Sequence, residues 1–194
     1  MNAILSKVSP SATTMIRMDH THVLATFHRY KPDTPPQNKK GLVNMICTSL
    51  EIHAQLEEEI FYPAMRGIAS DAAVVDKSIP EHNEMKRLIG ELRGMEPDGA
   101  AYDDKVMELM RDVMHHVADE ETRLLPDAER LLSDRLGELG AQMTKRRLEL
   151  AAPRAGEIAM DTMRATSTGT MMMAAGALLA GAYIFSRAFS SRNA

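Results

Sequence analysis

An eleven-residue pattern occurs twice in this chain. His53-Ala-Gln-Leu-Glu57-Glu58-Glu59-Ile-Phe-Tyr-Pro63 returns as His116-Val-Ala-Asp-Glu120-Glu121-Thr-Arg-Leu-Leu-Pro126. In both copies Glu follows the His by four residues, a second Glu comes next, and Pro follows the His by ten. Each copy also has an acidic-His pair upstream: Asp19-His20 lies 33 residues before His53, and Glu81-His82 lies 34 before His116. A repeat that preserves metal-ligating residue types at fixed spacing constrains the fold, because both copies must bring the same chemistry to equivalent places.

The surrounding residues read as helix. Strand-like alternation is scarce, aromatics are few and there are sixteen Met. A first helix starts near Ser9 or Ser11, with Ser as cap and Pro10 compatible with a first turn, and runs to about Tyr30. Its stripe of Ile16, Val23, Leu24 and Phe27 contains His20. Pro32, Pro35 and Pro36 mark a linker over Lys31–Lys40. A second helix runs from about Lys39 into the 60s, with His53 and Glu57 on the face of Leu42, Ile46, Leu50, Leu56 and Ile60; Pro63 is expected to kink or end it. A third, Ala72 to Arg93, places His82 in line with Val75, Ile79, Met85, Ile89 and Leu92, and Pro80 complicates its start. A fourth, from about Ala101, carries His116 and Glu120 on the face of Val106, Leu109, Val113, Val117 and Leu124. Four helices with short to moderate loops predict an all-α, up-down-up-down four-helix bundle, with a further helical extension at the C-terminal end.

Placement dictates the chemistry. Residues four apart in a helix differ in direction by roughly 40°, so His53 with Glu57, and His116 with Glu120, point the same way. A carboxylate on a buried stripe is costly unless paired or coordinated. One His on an apolar stripe is ordinarily a satisfied core histidine. Four of them in matched register with two Glu read instead as metal ligands: His20, His53, Glu57, His82, His116 and Glu120. Imidazole with carboxylate suits iron, manganese or zinc, and two His per metal with two shared carboxylates describe a dinuclear centre. The absence of thiolate ligands leans away from structural zinc. Glu120 rather than Glu121 is the expected ligand, because Glu121 is turned about 140° from His116 on a regular helix. His22, His28 and His115 read as surface residues, and Glu58, Glu59 and Glu121 as solvated.

Composition removes other classes. A net charge of −4 without a basic block argues against nucleic acid as the main partner. The only cysteine, Cys47, excludes a disulfide framework and fits a small core residue in a reducing compartment. Met1–Pro10 lacks the long apolar run of a secretory signal.

The doubled acidic-His…His-x-x-x-Glu-Glu-x-x-x-x-Pro pattern closely resembles the hemerythrin-like, HHE cation-binding domain, over about Ala12 to Leu132. The resemblance implies a left-twisted bundle with a non-haem di-iron centre, in which His20 and His53 bind one iron, His82 and His116 the other, and Glu57 and Glu120 bridge. Oxygen-carrying hemerythrins have a fifth His one turn after the third-helix His, where this chain has Lys86. Their second bridging acid is an Asp five residues after its His, where this chain has Glu at four and Glu121 at five. Both departures fit the wider HHE group better than the dedicated oxygen carriers.

On this reading residues 12–132 form the bundle, 133–164 a helical linker, and 165–187 either a single membrane span or a small-residue packing helix. The last segment is free of charge between Arg164 and Arg187 and reaches the length of a bilayer span, but it is rich in Gly, Ala, Ser and Thr. If it spans, Lys145, Arg146, Arg147, Arg154 and Arg164 outnumber Arg187 and Arg192 and keep the bundle cytoplasmic; otherwise the segment serves helix–helix association. Two functions compete: a metal-binding protein that takes O2, NO or iron for sensing, buffering or storage, and a di-iron oxidoreductase acting on peroxide, NO or ferrous iron. A tethered scaffold with a vestigial site is a third, weaker alternative.

Overall fold

A computed structural model describes residues 9–66 and 72–166, and among these there is no strand. Helix α1 spans Ala12–Arg29, and the Ser11 hydroxyl caps it by accepting the Thr14 N–H at 3.2 Å. Helix α2 spans Pro36–Leu56 and continues through a π turn, Glu57–Phe61, into Tyr62–Arg66. It begins inside the expected linker, because Pro36 occupies the first turn, where a missing N–H costs nothing. Helix α3 spans Ala72–Gly94 with Pro80 inside it, and α4 spans Gly99–Asp119. Gly99 has φ +79°, a conformation that admits glycine far more readily than other residues. Helix α4 also continues through a π turn, Glu120–Leu124, into Leu125–Leu131.

Neither Pro63 nor Pro126 ends its helix; of the two outcomes expected at Pro63, a kink or an end, the end does not occur. A proline inside an α-helix clashes with the carbonyl four residues back and leaves it without a donor. Here the wider turn lies just ahead of each proline, with the Tyr62 N–H bonding the Glu57 carbonyl and the Leu125 N–H bonding the Glu120 carbonyl. The helix thereby continues past the proline, and each π turn starts at a motif glutamate.

The core has two apolar clusters. Ala12, Met15, Ile16, Ile52, Leu56, Phe61, Met65, Val75, Leu124 and Leu125 pack at one end; Val23, Phe27, Ile46, Leu50, Met85, Ile89, Tyr102, Leu109 and Val113 pack at the other. Each of the four helices passes from one cluster to the other, with alternating direction, which is the up-down-up-down arrangement. The buried polar residues His20, His53, Glu57, His82, His116 and Glu120 come from the middle of the bundle, between the clusters.

Residues beyond the bundle form α5, Leu136–Ala151, a 3-10 turn at Ala152–Arg154, and α6, Ala155–Ala165. Leu139 and Met143 of α5 join the first cluster. Gly140 faces the α1 N-terminus so closely that a Cβ there would lie 2.1 Å from the Pro10 carbonyl oxygen. Helix α6 lies along α2, where a Cβ on Gly41 would lie 2.6 Å from the Ala165 nitrogen, and Arg29 and Asn38 donate to the Ala165 and Arg164 carbonyls at 2.8 Å. The extension thus runs along the bundle from its first cluster to its second. No described helix is long and apolar enough to cross a membrane. The segment read as a span or packing helix lies, from residue 167 on, outside the described residues.

Candidate metal centre

All six expected ligands converge. His20, His53, Glu57 and Glu120 form one group in which a ligand atom of each lies within 4.8 Å of the others; Glu57, His82 and His116 form a second. Each carboxylate lies between imidazoles of the two groups. Glu57 Oε2 is 3.2 Å from His53 Nε2 and 3.4 Å from His82 Nε2, while Glu120 Oε2 is 3.3 Å from His20 Nε2 and 3.6 Å from His116 Nε2. The Nε2 atoms of His82 and His116 are 3.1 Å apart. Glu57 and Glu120 are fully buried.

The opposite nitrogen of every imidazole is held by an acid. His20 Nδ1 is 2.8 Å from Glu121, His53 Nδ1 3.3 Å from Asp19, His82 Nδ1 2.9 Å from Glu58, and His116 Nδ1 2.9 Å from Glu81. The pattern repeats with the motif. The acid preceding the first His of each copy serves the second His of that copy, and the second Glu of each copy serves the first His of the other. Glu58 and Glu121 are therefore not simply solvated, as the helix faces suggest. They stand about 100° from the inward-pointing glutamates and reach the flank of a neighbouring helix. Glu59 does face solvent and pairs with Arg146 at 2.7 Å. His22, His28 and His115 are exposed.

Each of these acids meets a cation farther out: Arg17 on Glu121 at 3.0 Å, Lys77 on Glu81 at 2.9 Å, Lys86 on Glu58 at 2.7 Å, and Arg147 on Asp19 at 2.8 Å. Lys86 turns outward and takes both oxygens of Glu58. An imidazole whose Nδ1–H is donated to a carboxylate presents a neutral, basic Nε2, the form a metal requires.

Tyr62 completes the centre, and helix periodicity hid it. On a regular helix it would be turned about 140° from Glu57. In the π turn the fifth residue comes back over the first. Its buried hydroxyl is 2.8 Å from Glu120 Oε1, 3.1 Å from Glu57 Oε2 and 3.3 Å from His82 Nε2. The signal in the sequence was the mismatch between copies: nine residues after the second His stands Tyr62 in one and Leu125 in the other.

The electrostatics of the cluster favour a cation among its donors. Burial, with the nearby Glu120 charge, pushes the Glu57 carboxyl well above the usual range. Glu120 stays below that range, because His116 and His20 outweigh its burial. The Tyr62 hydroxyl has a single proton, and both Glu120 Oε1 and Glu57 Oε2 lie within its reach as acceptors. Burial opposes charging His20, but Glu120 and Glu57 overcome it and lift the imidazole to about 9. Burial lowers His53 to about 4 despite Asp19. His20 Nε2, His53 Nε2, Glu57 Oε1 and Glu120 Oε2 are buried without a hydrogen-bond partner among the described residues. Such atoms are costly unless a cation takes them up. The donor set fits one.

The family model for the hemerythrin HHE cation-binding domain matches residues 11–128. The chain belongs to the hemerythrin HHE cation-binding domain family. The HHE match ends before α5, whereas similarity of fold goes farther. A crystal structure of a hemerythrin HHE cation-binding domain-containing protein from Mycobacterium kansasii superposes with a TM-score of 0.65 over 80% of this chain and 99% of that one, at 16% identity. In sequence, the chain is 33% identical over 110 residues to a DNA nickase of Nostoc sp.. Those residues are 57% of this chain but 31% of that protein, so the similarity spans under a third of the relative's length. In this HHE domain the buried imidazoles and carboxylates form two groups that could hold a metal ion.

Proposed function

We propose that this HHE protein holds a dinuclear metal centre, with iron as the resident metal, and that it binds O2, NO or iron for sensing, buffering or storage. His20 and His53 would hold one ion, His82 and His116 the other, and Glu57 and Glu120 would bridge. The observation that carries the reading is the double orientation of the imidazoles: four Nε2 atoms face two buried carboxylates while four separate acids fix the Nδ1 atoms. Mixed imidazole and carboxylate donors suit iron, with manganese and zinc as competitors of similar geometry. When bound, iron supplies redox chemistry and open positions for a small ligand.

The size of that ligand is bounded. A cavity of about 10 Å3, counted as room for the centre of a water-sized molecule, lies beside the cluster, lined by His20, His53, His116 and the apolar Val23, Leu50 and Val113. It suits a water or a diatomic gas.

A second reading, an oxidoreductase acting on peroxide, NO or ferrous iron, is favoured by Tyr62. Its hydroxyl adds a proton donor to a cluster otherwise built of imidazoles and carboxylates. Metal analysis of aerobically purified protein, with visible spectra before and after peroxide, tests both readings. Two metals per chain and a reversible spectrum support binding. Peroxide decay faster than with the same iron free in buffer supports the enzyme. Protein that takes up no metal overturns both.

A further inference from the structure

Of the four outer cations, three belong to bundle helices. The fourth, Arg147, belongs to α5, beyond the residues matched by the family model. Along α5, Leu139, Met143 and Arg147 follow at intervals of four and share one face. Leu139 and Met143 are buried in the first apolar cluster. The same face carries Arg147 onto α1, where both terminal nitrogens reach Asp19: Nη1 meets Oδ1 at 2.8 Å and Nη2 meets Oδ2. Asp19 in turn meets His53 Nδ1. This fork fixes both carboxylate oxygens in one plane, which a lysine in its place could not do.

We propose that Arg147 is a positioning residue of the metal centre, acting through Asp19 to orient His53, so that docking of α5 sets the affinity of one of the two ions. The inference rests on the dinuclear reading above. Its reach is selective. His53 belongs to the group with His20, Glu57 and Glu120, and the His82–His116 pair has its own outer cations, Lys86 and Lys77. Losing Arg147 leaves Asp19 free to rotate, and the imidazole loses its fixed Nδ1 partner. Outer partners of metal-bound imidazoles typically contribute 10- to 100-fold in affinity, and for a residue one step farther out the expectation is about 10-fold.

The test titrates the full chain with cobalt(II) under nitrogen and follows the visible ligand-field bands, in wild type, Arg147→Met, Arg147→Lys, Asp19→Asn and the double variant Arg147→Met/Asp19→Asn. Arg146→Met, at the neighbouring residue that pairs with Glu59, is the control. The expected result is two binding steps in wild type, with one weakened about tenfold and its bands shifted in Arg147→Met. The other step and the Arg146→Met variant should be unchanged, and Arg147→Lys should recover only part of the loss. In the Asp19→Asn background Arg147→Met should add no further loss. Thermal unfolding of the metal-free variants separates folding from positioning: a fall in melting temperature with both binding steps intact assigns Arg147 to α5 docking alone and overturns the proposal. Equal weakening of both steps also overturns it. A wild type that binds no cobalt overturns the dinuclear reading itself.

Discussion

The Tyr62 hydroxyl lies 2.8 Å from Glu120 Oε1, so a side chain of α2 closes onto the motif glutamate of α4. The contact exists because the π turn returns Tyr62 over Glu57 at the centre of the bundle. Tyr62→Phe removes one oxygen and leaves the ring in place. The expected outcome is full metal loading with a slower reaction toward peroxide, by roughly 10²-fold if the hydroxyl supplies a proton during turnover. Stopped-flow decay of peroxide, with metal content measured on the same sample, checks it. Unchanged decay would remove Tyr62 from the chemistry.

His53→Ala and His116→Ala each delete one Nε2 donor from a different group. Each should lower metal content by at least one ion per chain and reduce the gain in thermal stability on metal addition, because binding free energy is shared with folding. Glu121→Gln, which alters only the outer partner of His20, should weaken uptake without abolishing it, by about 10- to 100-fold. Elemental analysis after dialysis gives the answer; full loading of both alanine variants would sink the ligand assignment.

Lys86 occupies the position at which the oxygen carriers have a fifth histidine, and its ammonium lies 2.7 and 2.9 Å from the two Glu58 oxygens. The ion at His82 and His116 would lack a third imidazole, so no long-lived oxygen adduct is expected. Anaerobic reduction followed by repeated admission and removal of O2 checks this spectroscopically. A stable spectrum that returns fully over several cycles would contradict it. Lys86→His should lengthen the life of any adduct, at the expense of the Glu58 pair.

At the far end of the bundle the Lys39 ammonium is buried and lies 2.5 Å from Asp103, which also accepts from Tyr30. Burial would raise the Asp103 carboxyl, but the Lys39 and Tyr30 hydrogen bonds win and hold it below its ordinary value of 3.8. A carboxyl depressed in the folded state adds stability that is present above its unfolded value and lost as pH falls through the folded one. Asp103→Asn should therefore destabilise the metal-free protein at pH 7, by about 1 kcal/mol for a pair whose carboxylate is partly exposed. The difference from wild type should shrink below about pH 4. Urea unfolding at pH 7 and pH 3 measures both; an equal difference at the two values would show that the pair is not the source.

The sequence by itself determined the helical class, the doubled motif, the family and the six inward-facing residues, because those depend on periodicity along single helices. His20, His53, His82 and His116 each fall on an apolar stripe, and a stripe must face the core whatever packs against it. The tertiary structure alone decided what surrounds them. Glu58 and Glu121 looked solvated because their partners, His82 and His20, belong to other helices, and helical spacing carries no information about a neighbour's flank. Tyr62 was hidden by a π turn, which moves a residue about 90° relative to α-helical expectation, and Pro63 gave no hint that such a turn would absorb it. Arg147 was one charge among several until α5 docked. A hydrophobic face fixes which residues are buried; only the packing of that face fixes which acid each buried base will meet.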